Sequence, residues 1–123
     1  MESTLELREE LKHIADLLRG LGVEAGLDRL EEYGLNIRVP ANTVAFSISD
    51  LNDEFRLHIG DRVVIRYVIP MRQVVIAVRP GYYTFEYTLH EAKLSAGVIN
   101  GYVDVSIKGD HFHFRIVEET IRP

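Results

Sequence analysis

Apolar residues recur early in the chain at Leu7, Leu11, Ile14, Leu18 and Leu21, with spacings of four, three, four and three. That spacing is one stripe of an α-helix. Ser3 and Glu6 precede it as a capping box, and Gly20 and Gly22 close the segment. Glu9, Glu10, Lys12, Asp16 and Arg19 fill the remaining face. The stripe can pack on the protein's own sheet. It can also pair with the same helix of another copy, and then Leu7, Leu11, Ile14, Leu18 and Leu21 are an oligomer interface. Leu17 widens the stripe, and fewer than three heptads do not sustain a coiled coil, so packing on the own core is the favoured expectation. Residues 24–33 read as a second short helix closed by Gly34, weakened by Gly26.

From Leu35 onward the period is two. Strands are predicted at 35–39, 43–49, 54–59, 63–69, 73–79, 82–90, 101–107 and 111–118, separated by short turns rich in Gly, Pro, Asn and Asp. The expected fold is therefore α+β and mainly β. An N-terminal helical segment (1–34) leads into a seven- to eight-stranded antiparallel meander (35–118), arranged as a sandwich or barrel, with a tail at 119–123. A chain of 123 residues suits a single domain, 1–123.

Register can be argued at two turns. A two-residue hairpin at Gly109-Asp110 would pair Ile107 with Phe112, Val105 with Phe114 and Val103 with Ile116, all apolar. Its other face would pair Ser106 with His113 and Asp104 with Arg115. His111 and His113 then fall on the polar face. They are the candidate metal pair, but a metal site needs three or four converging ligands, and His90, Glu86 or His58 would have to complete it. Solvated strand histidines are the simpler reading. At Gly60 a two-residue loop mixes the faces. A three-residue loop, Gly60-Asp61-Arg62, pairs Ile59 with Val63, Leu57 with Ile65 and Phe55 with Tyr67. It sets Arg56 against Arg66 on the outer side, with Glu54 nearby. The two guanidinium groups either splay into solvent or contact an anion or carboxylate. In residues 81–91, Tyr83, Phe85, Tyr87 and Leu89 share one face, read as core. Tyr82, Glu86 and His90 share the other and could line a pocket or partner surface.

Composition narrows the function. The chain has no cysteine, which removes thiolate chemistry and disulfides. Net charge is −5 with no basic run, which disfavours nucleic acid. No apolar run is long enough to span a bilayer, and the acidic start lacks a secretory signal, so the expected location is cytoplasmic and no membrane partner is expected. Few thermolabile side chains beside abundant charge hint at a thermophile source. No nucleophile elbow, Ser-x-x-Lys, P-loop or dinucleotide fingerprint occurs, so no catalytic residue and no cofactor is nominated.

Ala92, Gly97 and Val98 in "AKLSAGVI" are similar to the A-x-x-x-n-G-V-L signature of small heat-shock proteins, with Ala96 where asparagine is usual and Ile99 for leucine. That resemblance implies a β-sandwich chaperone domain. The Leu-Pro before the signature is missing, and the tail holds one hydrophobic residue of the family's I-x-I. The leading expectation is a non-enzymatic, self-associating binding module that engages a protein partner. The alternatives are a small-molecule-binding barrel, a small heat-shock-like domain and a metal-binding domain at His111/His113.

Overall fold

The stripe becomes helix α1, Thr4–Gly20. The computed structural model describes residues 4–27, 34–109 and 111–118, except the side chains of 4–7, 111–114 and 118. Leu11, Ile14 and Leu18 are fully buried, with Ala15 beside them, in one cluster that also holds residues of both sheets. This corrects the oligomer-interface reading of the stripe. Side chains already enclosed by their own core have no surface left for a second copy. Leu21 packs half-buried on the same core, and the side chain of Leu7 lies outside the described residues.

The second predicted helix is not formed over its first residues. Glu24–Leu27 is strand β1, paired antiparallel with β2 (Gly34–Pro40). Val23 and Ala25 are buried while Glu24 between them is exposed, a period of two that Gly26 tolerates better than a helix would. Residues 28–33 lie outside the described residues.

Eight further strands follow: β3 (Val44–Ile48), β4 (Glu54–Ile59), β5 (Val63–Val68), β6 (Gln73–Val78), β7 (Tyr83–His90), β8 (Lys93–Ile99), β9 (Tyr102–Lys108) and β10 (His111–Glu118). They make two antiparallel sheets. The larger has the order β10-β7-β6-β5-β4-β3, so the meander is real from β3 to β7. The smaller has the order β1-β2-β9-β8. Among the described residues both are open at two edges, and their inner faces share the core: Ile37, Val39, Val105 and Ile107 from one, Leu57, Ile65, Ile76 and Tyr87 from the other. The arrangement is a sandwich. Helix α1 reaches both sheets, packing on β1 and β2 and setting the His13 ring 6.4 Å from that of Tyr87.

The three-residue loop at Gly60 is as expected. Ile59 pairs with Val63, Leu57 with Ile65, Phe55 with Tyr67 and Arg56 with Arg66. The hairpin at Gly109-Asp110 is not. β9 is flanked by β2 and β8, and β10 pairs with β7 in the other sheet. The reason is that both sides of β9 are occupied, while β7 offers a free edge. Asp104 therefore lies across from Arg38, and Arg115 donates to Glu86 at 2.7 Å, so neither the Asp104–Arg115 nor the Ser106–His113 pairing exists. The backbone register sets Phe112 opposite Leu89, Phe114 opposite Tyr87 and His111 opposite His90. The chain leaves the small sheet at Gly109, which is buried; a Cβ there would lie 2.7 Å from Leu89 Cβ.

Candidate functional site: an open sheet edge

Strand β8 was absent from the sequence reading, and among the strands whose side chains are all described it is the most exposed. Lys93 and every residue from Ser95 to Ile99 are exposed, with Val98 at 64% and Ile99 at 58%. The turn after it is Asn100-Gly101, both at positive φ (53° and 80°). That is the tight hairpin conformation that asparagine and glycine favour, and it fixes the ladder to β9. In such a hairpin Ile99 and Tyr102 close the loop as a hydrogen-bonded pair, and bonding alternates from there. The backbone groups of Ser95 and Gly97 therefore turn towards β9. Those of Leu94, Ala96 and Val98 turn outward, where β8 has no neighbouring strand among the described residues.

Edges of this kind are normally blunted by charge, proline or a bulge. From Leu94 to Asn100 β8 carries none of the three in sequence. One edge strand of each sheet is incompletely covered on its inner face. Ala96 and Val98 register with the buried Val105 and Val103, yet are exposed themselves. On the large sheet Phe46 (48%) and Ile48 (60%) of edge strand β3 register with Leu57 and Phe55, and the Phe46 and Phe55 rings stand 5.6 Å apart.

The outer face of the small sheet holds a concavity of about 590 Å³. Glu24, Asn36, Arg38, Ser95, Asp104 and Ser106 contribute to its walls. Arg38 lies 3.7 Å from Asp104 and stacks over the Tyr102 ring at 4.4 Å.

The nominated residues fall on separate elements: Tyr82, Glu86 and His90 in or just before β7, Arg56 and Arg66 on β4 and β5, and His111 and His113 on β10, where the backbone register sets His111 opposite His90. Tyr82 is exposed before β7, Glu86 is paired with Arg115, and His90 shares a hydrogen bond of 3.1 Å with Gln73. Glu86 and His90 share the outer face of β7, and Tyr82 precedes that strand. Arg56 and Arg66 both reach Glu54: Arg56 Nη2 is 3.2 Å from Oε2, and Arg66 Nε bonds Oε1. The hydrogen bond from Arg66 holds the Glu54 carboxyl below its ordinary 4.5, against a burial that pushes it up. The carboxylate in contact with these two arginines is thus the protein's own. The phenol of Tyr87 is raised above 10, first by burial and then by the charge of Glu10. The side chains of His111 and His113 lie outside the described residues. Among the described residues no three His, Asp or Glu side chains converge as a metal site, and no helix is long and apolar enough to cross a membrane.

No family model, no curated protein and no solved structure matches this chain. The stretch similar to the small heat-shock signature coincides with β8. A signal for that strand was present in the sequence: Asn-Gly between two runs of equal length, 93–99 and 102–108.

Proposed function

We propose that the protein is a non-enzymatic, self-associating binding module whose partners add an extended strand to the edge of the small sheet. The observation that carries this reading is β8: seven residues long, exposed, uncharged after Lys93, with outward backbone groups at every second position. Strand addition draws its affinity from main-chain hydrogen bonds and its selectivity from pockets for alternate side chains. The uncovered inner-face residues Ala96 and Val98 supply apolar surface of that kind. The absence of catalytic motifs in the sequence supports a binding role over a chemical one.

Light scattering between roughly 1 and 100 µM, the range of ordinary interface affinities, tests self-association. A mass that rises with concentration, with slower amide exchange at Leu94, Ala96 and Val98, is the expected result. A monomer throughout that range, with those amides exchanging freely, defeats the reading. The small-molecule alternative is favoured by one observation, the concavity beside Arg38 and Asp104. It belongs to the outer face of a sheet, not to a barrel interior.

A further inference from the structure

We infer that the strand added to β8 is β8 of a second copy, antiparallel to the first about a two-fold axis through Ala96. This rests on the reading of β8 as a binding edge, and names the partner and the register.

The geometry of the edge selects the partner. The outward groups sit at Leu94, Ala96 and Val98. A two-fold normal to the sheet joins residues of the same parity and keeps both inner faces on one side. Among such registers, the one centred on Ala96 overlaps all seven residues of each strand. It places Leu94 against Val98 of the second copy, Ala96 against Ala96, and Val98 against Leu94. Each of these is a pair of outward-facing residues, so about six main-chain hydrogen bonds form.

The side chains agree with that register. On the inner face a small methyl group meets its own copy at the axis, where opposed Cβ atoms come within about 5 Å. Leu94 meets Val98 on either side of it, which adds apolar cover to a valine now 64% exposed. On the outer face Ser95 stands against Gly97, where a Cβ has open space. The one charged residue of the strand, Lys93, lies at its end. Antiparallel pairing puts the two lysines at opposite ends of the interface, each facing Ile99 of the other copy, so no like charges oppose. The product is one continuous eight-stranded sheet, β1-β2-β9-β8 followed by its symmetry copy.

Other edges fit less well. β3 is shorter at five residues, β1 has four and begins with Glu24, and β10 carries Arg115 and ends at Glu118.

The chain has no cysteine, so single cysteines report the register directly. Under mild oxidation Ala96→Cys is expected to form a disulfide-linked dimer, because residues paired at the axis fall within the 4.4–6.8 Å Cα separation, roughly, that a disulfide spans. Ser95→Cys is expected to stay monomeric on non-reducing gels, since the two residues 95 are offset to about 8 Å, beyond that reach. Ala96→Lys, which brings two ammonium groups together at the axis, is expected to weaken association by about a hundredfold or more. Circular dichroism identical to wild type would confirm that this exposed substitution leaves the fold intact. A dimer that cross-links through Ser95→Cys instead, or one that Ala96→Lys leaves unchanged, overturns this pairing while leaving self-association standing. A wild-type monomer that cross-links at neither position overturns both.

Discussion

Glu54 shows how one residue changes the meaning of its neighbours. Arg56 and Arg66 are directly opposed across β4 and β5, an arrangement that costs stability when left alone. Glu54, with its side chain only 15% exposed, accepts from both. Its carboxyl titrates below 4.5 chiefly because of Arg66. A carboxylate with a depressed folded value contributes stability that is present above the unfolded value and lost as pH falls through the folded one. Glu54→Gln is therefore expected to cost about 1 kcal/mol near neutral pH, because the arginines are partly solvated, and to cost less in acid below the depressed folded value, where wild type has lost the same charge. Urea denaturation of both proteins at the two pH values checks it; an equal penalty at both would show that the pairing does not stabilise through charge. This cluster was legible in the sequence. A three-residue loop was the only one of the two considered that kept Ile59, Leu57 and Phe55 on a common face with Val63, Ile65 and Tyr67. The opposition of the arginines followed, though not the depth at which Glu54 would sit between them.

Among the elements, α1 demonstrates what a stripe can and cannot reveal. Its existence followed from periodicity, but which surface covered it did not, because a helix records only that one face is apolar. Leu18 is completely enclosed while Leu17 is half-buried. Leu18→Ala is expected to lose about 2–5 kcal/mol, through transfer energy and the cavity left behind, and Leu17→Ala clearly less. Thermal or chemical unfolding of the pair decides it, and a reversed order would mean that the helix sits rotated on the sheets. β8 was missed for a different reason. Ser95, Ala96 and Gly97 lack the branched and aromatic residues that mark strands, because an edge with both faces open has little core to fill. The signal lay in the Asn100-Gly101 turn, outside the strand.

For the whole molecule, the failure to read the last hairpin is instructive. Local pattern correctly made residues 101–107 and 111–118 strands. It could not see that β2, far away in sequence, already occupied one side of β9 and β8 the other. The chain changes sheets at Gly109, pressed against Leu89. Gly109→Ala is accordingly expected to destabilise by about 1–3 kcal/mol, as overpacking does, whereas Gly97→Ala, with open space around its Cβ, is expected to fall within about 0.5 kcal/mol in the monomer. Comparing their midpoints in urea tests the contrast. Equal effects would mean that the crossing is looser than its geometry indicates.

The position of β9 between β2 and β8 also sets an order on events at the ribosome. The meander from β3 to β7 is built from successive hairpins and can close as it emerges. The small sheet cannot, since Gly34 pairs with Lys108 and Pro40 with Tyr102. Until Tyr102–Lys108 has been translated, Leu35, Ile37 and Val39 have no strand β9 beside them, and the apolar face of α1 waits with them. Between the completion of β7 at His90 and the emergence of β9 from Tyr102, the nascent protein therefore carries five strands of the larger sheet without the assembled small sheet to cover them, and that interval is when it is most exposed to misassembly.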